Sequence, residues 1–360
     1  MEIYVRDENL KRVSIISQFS SLTWLTKYRH VGNFTIECSM KYFNLFKTKG
    51  EKFIENTADP WNLAYVESVE KSTTDAGDKV LKIKGKMALG WLKNRVILAD
   101  TYFEQKDIGY IAESLMKSNV TEPSDPSRSI PIIRWAEVGE WGKQDLRLSR
   151  GSTLLQALYD LSKPQDLGLV MEFCDDEKLN LKIYQGVNRT TNQTEALPVT
   201  LEQTRGTAGQ IEYYLDNSTL ATWVAIDKEN KVPTEYGSGS GLNRKEVFLD
   251  YSSVNQTITQ SDGSEVKIAD QYYQNMIINK AQAELEKMVE TQYLDVQTTQ
   301  LLAMRFRDSL YLGDFVTVVD TDTGFTQDQQ VTAATEIWDS RGYTLSLQVG
   351  KSSIDMSEEV

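Results

Sequence analysis

Residues 331–351 read VTAATEIWDSRGYTLSLQVGK, and residues 65–86 read YVESVEKSTTDAGDKVLKIKGK. Each is a pair of alternating apolar and polar runs around a turn carrying Asp and Gly, the pattern of a β-hairpin with one buried face. Each first strand carries a Glu, Glu70 or Glu336. Each second strand spaces apolar residues two apart, Leu81 and Ile83 or Leu345, Leu347 and Val349, and both end on Gly-Lys. Hairpins in general share some of this, so alone the echo is a weak sign of duplication. It raises the question of whether two similar β units stand at opposite ends of the chain.

Just upstream, residues 310–320 read LYLGDFVTVVD. A Gly-Asp pair before β-formers opens a strand or presents a carboxylate at a site. Gly313 permits a turn, and Asp314 can bond its own backbone there. Phe315, Thr317 and Val319 point one way, Val316 and Val318 the other. Apolar residues on both faces suit a strand whose outer face is also covered. Asp314 therefore reads as a turn residue, and Asp314→Asn is expected to do no more than loosen that turn.

The rest of the chain alternates in character. Residues 1–98 read as β, with strands around RDENLKR and at FTIECSM, and a short helix at about 86–97 set by Leu89, Leu92 and Val96. Within 99–196, DIGYIAESLMKSN and STLLQALYDLSKP have helical spacing, the second after a Ser152/Thr153 cap. LGLVMEFCDDEKLNLKIYQG then reads as a strand pair. The polar, Thr-rich stretch after Asn188 reads as a linker. β character returns over 197–255, where LATWVAID and KEVFLDYSS bracket a loop. The longest helix is expected within 256–290, at about 268–290, with Tyr273, Ile277, Ala281, Leu285 and Met288 on one stripe. Residues 291–350 are β again, and 351–360 read as a frayed tail.

The 360 residues include 40% apolar ones, enough for real cores. No apolar run is long enough to span a membrane as a helix. The charged start MEIYVRDENLKRV lacks the apolar core of a signal peptide, so synthesis and folding in a bacterial cytoplasm are expected. The net charge of -13 argues against a protein that grips nucleic acid by its phosphates.

Candidate chemistry is sparse. His30 is the single histidine, beside a Gly-Asn turn, which removes two-histidine metal sites. Cys38 and Cys174 are far apart in strand-like runs and read as small buried hydrophobes. Asp175, Asp176 and Glu177 read as a solvated turn rather than an acid/base set. YGSGSGLNRKE matches no phosphate-binding loop and reads as a mobile hairpin tip. DTDTGFTQDQQV opens like a calcium loop, but its Gly324 comes one place early and its twelfth residue is Val331, so it reads as a hairpin turn. No catalytic, cofactor-binding or metal residues are assigned, no cofactor is expected, and a structural role is favoured over an enzyme.

Four segments, in order, resemble siphophage tail-tip hub proteins. The first is the opening stretch, with a turn after Ile3, Val5 and Asp7, then Ser21, Leu22, Trp24, Tyr28, Gly32 and Phe34. IKGKMALGWLKNRVI resembles the family's Gly-led helix, here Gly85 and Arg95-Val96-Ile97, with Asn94 where a second Arg is common. GLNRKEVFLDYSSV resembles its strand after a long loop, through Arg244, Glu246 and Asp250. YLGDFVTVVDTDTGFTQDQQVTAATEIWDSRGYTLSLQVG resembles its closing strands. The likeness extends to the hub region of tail-associated lysin and tail spike proteins, and to the contractile-phage baseplate hub.

The resemblance implies an α+β, β-rich fold of two β-barrels flanking an inserted α/β region. The expected division is 1–98 for the first barrel, 99–196 for the α/β region, 197–255 and 291–350 for the second barrel, and 256–290 for the helix. It also implies a homotrimer whose six barrels form a ring at the virion's tail tip, meeting a distal tail protein, a tape-measure protein and receptor-binding proteins. DNA would pass without specific binding, and no membrane segment is involved. Nothing after LSLQVGKSSIDMSEEV resembles a lytic extension, so no peptidoglycan hydrolase activity is expected. The competing readings are a polysaccharide or cell-wall hydrolase and a receptor- or carbohydrate-binding tail module.

Overall fold

In a computed structural model, the described residues are 1–350 except 48, 74–76, 78, 136–138, 228–233, 251–255, 260–263, 286, 287, 289, 290 and 299–304. The expected frayed tail at 351–360 lies outside them, as do Asp75 and Asp78 of the first hairpin turn.

Seven strands make the first unit: β1 (Ile3–Arg6), β2 (Arg12–Ile16), β3 (Phe19–Lys27), β4 (Asn33–Ser39), β5 (Phe53–Asn56), β6 (Asp59–Thr73) and β7 (Lys79–Met87). They pair antiparallel in the order β2-β1-β5-β6-β7-β4-β3. The period-two pattern of the sequence decides which residues go inside. Ile3, Val5, Ile16, Leu22, Trp24, Phe34, Ile36, Ile54, Leu81 and Ile83 share one core, so the sheet wraps around it. A five-residue helix, α1 (Phe43–Lys47), follows β4.

The middle region holds β8 (Thr101–Asp107), α2 (Ile108–Met116), β9 (Ile133–Trp135), β10 (Lys143–Leu148), α3 (Leu154–Ser162), β11 (Gly168–Phe173) and β12 (Leu179–Tyr184). Both helices fall where the spacing puts them. Asp107 caps α2 by accepting from Gly109 N–H at 2.7 Å, and Thr153 caps α3 by accepting from Gln156 N–H at 3.2 Å. β11 and β12 form the expected hairpin. β9 adds to it in parallel, and β11 meets β6 through Glu172 and Asn62. The core of this region continues under the first unit, reaching Leu10, Phe53, Leu63 and Tyr65.

The second unit begins with β13 (Thr200–Glu202) and β14 (Ala208–Asp216). After them come β15 (Trp223–Asp227), β16 (Thr234–Gly237), β17 (Glu246–Asp250), β18 (Thr257–Thr259), β19 (Glu265–Lys267) and α4 (Asp270–Leu285). It ends with β20 (Thr291–Thr298), β21 (Phe315–Asp320), β22 (Phe325–Asp339) and β23 (Gly342–Gly350). β21-β22-β23-β20-β14 pair antiparallel in that order. The first unit has β5-β6-β7-β4-β3 in the same chain order and the same neighbour order. Both hairpins of the sequence echo also carry a bulge at the same place, between Val66 and Ser68 in β6 and between Val331 and Ala333 in β22. The two units thus repeat one five-strand topology, and the joint between them is a strand pair: Ala333–Trp338 of β22 on Leu22–Lys27 of β3.

Several expectations need correction. Among the described residues neither unit closes as a barrel. The outer edge of β3 is occupied by β22, so it is not available to close onto β2. The 86–97 helix is a 3-10 turn over Ala88–Asn94, with Gly90 packed against Val31 and the Tyr65 hydroxyl. The long helix spans Asp270–Leu285, shorter at its described ends than 268–290. Tyr273, Ile277 and Ala281 are buried as its stripe requires.

The segments expected to bracket a hairpin within 197–255 do not pair as one. β17 runs parallel to β15, and β16 takes the other edge of β15. This small sheet and α4 share a separate core with Val224 and Ile226. It is an insertion between β14 and β20, at the point where the first unit has only the short turn from β3 to β4.

Candidate functional site

The residues of greatest consequence lie at two joints. At the first, β3 ends and the chain turns back at Tyr28. The Tyr28 hydroxyl donates to the Asp166 carbonyl at 2.9 Å and lies 3.3 Å from that of Tyr184. Its backbone N–H donates to Thr332 of the second unit at 2.8 Å, and its carbonyl accepts from Leu169 of the middle region at 3.0 Å. One residue therefore ties all three regions.

Its ring fits because glycines flank it. A Cβ at Gly313 or Gly168 would lie 2.2 or 2.3 Å from the ring, and Tyr184 meets it edge-on at 5.2 Å. Gly313 also has φ +90, a region that L side chains rarely adopt. A Cβ at Gly186 would strike the Gly313 carbonyl at 1.9 Å. Burial pushes the Tyr28 hydroxyl up to about 12, so it stays a donor. Arg29 adds a bond to the Leu167 carbonyl at 3.1 Å and an ion pair with Asp166.

Asp314 belongs to this joint, which corrects its reading as a turn residue alone. It is buried and accepts from Val187 N–H at 2.8 Å, Arg189 Nε at 2.7 Å and Tyr311 N–H at 3.0 Å. Only the last bond serves the turn. The others pin the supposed linker, which continues along β21 through Thr191 and Thr317. A polar stretch looks like a linker in sequence because its partners are polar groups far away.

At the second joint Arg307 reaches inward between Asp59 of β6 and Glu336 of β22, 2.8 Å from the Asp59 carboxylate. Asp59 also accepts from Trp24 Nε1 at 2.8 Å and from Asn62 at 3.0 Å, and Tyr343 donates to Glu336 at 2.9 Å. Burial opposes the charge on Arg307, but its two carboxylate neighbours outweigh it and raise its basicity. Burial raises the Glu336 carboxyl despite the pull of Arg307.

The other candidates fall elsewhere. His30 stacks its edge on Tyr159 at 5.1 Å and lines a cleft with Gly32, Met87, Leu89 and Leu169, without a carboxylate in its lining. Cys38 is buried in the first core and Cys174 is half-buried, both as free thiols. Asp176 and Glu177 have partners after all. Arg134 meets Asp176 at 2.7 Å, and Lys11 and Arg6 meet Glu177, so this turn clips the middle region to the β1–β2 loop. The Gly-rich loop folds back on Thr222, with Arg244 3.8 Å over the Trp223 ring. DTDTG is the turn between β21 and β22, with Asp320 accepting from Thr323 and Gln203. Among the described residues no three His, Cys, Asp or Glu side chains converge as metal ligands.

The spaced residues Trp24, Tyr28, Gly32 and Phe34 also find their reason. Trp24 and Phe34 pack at 5.8 Å in the core, and Gly32 lets the chain pass the Leu25 carbonyl, which a Cβ would meet at 1.9 Å. Arg307, Asp59 and Arg189 were missed, since each meets its main partners far away in sequence.

The fold is similar to those of solved tail proteins. The 43 kDa tail protein of prophage MuSo2 from Shewanella oneidensis superposes with a TM-score of 0.60 at 13% identity, over 99% of this chain and 100% of that one. A tail protein from Neisseria meningitidis MC58 gives 0.59 at 13% identity, over 98% and 97%. Prophage tail protein gp18 from Listeria monocytogenes EGD-e gives 0.51 at 13% identity, over 98% and 96%. At such identity the likeness is one of fold. The chain belongs to the Siphovirus ReqiPepy6 Gp37-like protein family, whose model matches residues 2–351. No curated protein matches it.

Proposed function

We infer that the chain is a structural hub of the tail tip, three copies of which form a ring that closes or extends the tail tube and lets DNA pass toward the host. The observation that carries this reading is the repeated five-strand unit. Three chains with two like units each supply six similar positions around one axis, which matches a sixfold tube on one face and threefold symmetry on the other. The resemblance of the sequence to tail-tip hubs, its membership in a siphovirus protein family and its likeness in fold to solved tail proteins support the same reading.

The net charge of -13 suits a ring through which a polyanion slides without adhering. The joints described above act structurally in this account, and their carboxylates hold partners rather than substrate. Distal-tail, tape-measure and receptor-binding proteins are the proposed neighbours.

Sedimentation of the purified chain, with negative-stain class averages, tests the reading. A particle of three chains with six lobes around a central opening is expected. A closed dimer, or a ring of another number, overturns it.

A further inference from the structure

The joint between the two units has a second half that the chain leaves open. β22 uses one edge for β23 and divides its other edge in two. Phe325–Gln330 pair with β21, and Ala333–Trp338 pair with β3. β6 is built the same way up to a point. Its first half pairs with β5 and its other edge with β7. Among the described residues, the edge of Ser68–Thr73 carries no strand. Likewise β3 has β4 on one edge and β22 on the other, while β14 has β20 on one edge and, among the described residues, no strand on the other.

The bulges align Ser68–Thr73 with Ala333–Trp338. The pairings of Phe34 with Gly85 and of Leu294 with Val349 align Trp24 with Tyr213. Exposure follows this correspondence. Trp24 and Thr26, on the strand that β22 pairs with, are 0% and 3% exposed, whereas their counterparts Tyr213 and Leu215 on the open strand are 45% and 47% exposed. Glu336 is 2% exposed, and its counterpart Lys71 lies open. The positions left bare on each half thus correspond to positions that are covered on the strands of the intrachain joint.

We propose that the occupant of each open edge is a second copy of this chain: β14 of one copy pairs antiparallel with Ser68–Thr73 of β6 in the next, repeating between chains the β3–β22 joint. The proposal rests on the ring reading and supplies its contact. The register follows from the intrachain one. Glu336 faces Trp24, Ile337 faces Thr23 and Ala334 faces Thr26. Lys71 therefore faces Tyr213 of the neighbour, Ser72 faces Glu212, and Val69 faces Leu215. The contact is head-to-tail, so it closes into a ring or runs on as a filament according to its rotation. It also covers two unpaired strand edges that would otherwise invite uncontrolled pairing.

Cross-linking in register tests this. Chains with Cys174→Ser and Ser72→Cys are mixed with chains carrying Cys174→Ser and Glu212→Cys, then oxidised. Partners across antiparallel strands have Cα atoms about 4.5–5.5 Å apart, within disulfide reach. Strong cross-linking of this pair, and several-fold less for Ser72→Cys with Gln210→Cys, is expected. Leu215→Arg should abolish both the cross-link and assembly while tryptophan fluorescence stays native. A three-chain particle with no in-register preference overturns the edge pairing and leaves the ring standing. In-register cross-links in an open series beyond three chains support the edge pairing and overturn the ring. Monomers without cross-links at the highest attainable concentration overturn both.

Discussion

The first and second units share a strand order but differ in how they are finished. In the first, β3 is sealed by β22, the turn from β3 to β4 is short, and Trp24 lies wholly inside. In the second, the matching turn has grown into a small sheet and helix, and the matching strand β14 has an open edge with Tyr213 half exposed. The difference teaches that one strand edge of the repeat serves folding within the chain, while the matching edge of the second unit is left for the proposed assembly. A sheet with two usable edges is stable when a neighbour completes it, and in this chain one neighbour is the other half of the same molecule.

The largest effect expected from breaking the comparison is at the charged joint. Arg307→Ala leaves Asp59 and Glu336 buried without their cation, and removing one partner of a buried pair costs about 3–5 kcal/mol. Urea unfolding should show this loss. Adding Asp59→Asn and Glu336→Gln should recover part of it, since the uncompensated charges are then gone.

Next come the glycines. Gly313→Ala combines a left-handed φ, about 1–3 kcal/mol, with a clash against the Tyr28 ring, about 1–3 kcal/mol. Gly324→Ala, also at positive φ but in open space, should carry only the backbone cost. Thermal melts of the two variants separate packing at the joint from conformation at the turn.

Asp314→Asn should cost about 1–3 kcal/mol, since charge-assisted bonds to buried groups weaken. The turn should survive while proteolysis within 186–199 accelerates. A loss confined to the turn would show that the segment is not held by Asp314.

Acid should act on the first unit through Glu55. Burial pushes its carboxyl up, but hydrogen bonds from Arg12 and Arg6 outweigh this and hold it below its ordinary value. A group with a depressed folded pKa contributes stability above its unfolded value, about 4.3, and loses it as pH falls further. The melting midpoint should drop between neutral pH and pH 3, and less steeply in Glu55→Gln.

The smallest effect should follow removal of the insertion. Asp216 and Thr291 are already cross-strand partners. A two-residue Asn-Gly turn replacing 217–290 has the geometry of a tight hairpin, and the second sheet should retain its far-ultraviolet signature and cooperative melt.

Much of this was legible in sequence. The β6–β7 and β22–β23 hairpins, α2, and α3 with its Thr153 cap follow from local periodicity and turn residues, which act over a few positions. The echo was legible too, but with a slip. Pairing Glu70 with Glu336 by composition misses that the bulges match Glu336 to Lys71, and one residue of register turns a strand over. Glu70 is accordingly exposed and paired with Lys84, while Glu336 is buried.

What stayed hidden depends on distant competition. Barrel closure was expected from the family resemblance, yet β22 takes the edge that closure needs. The parallel pairing of β15 and β17 leaves no hairpin signature. Arg307 sits in a short polar segment whose meaning depends on Asp59, at the other end of the chain.

Amide hydrogen exchange at rising protein concentration tests the central claim most directly. Residues 22–27 should be protected at every concentration, because their partner strand is in the same chain. Residues 68–73 and 211–215 should exchange fast when dilute and become protected together as copies associate. Protection of 211–215 that is unchanged by concentration, or that rises without 68–73, would contradict the account.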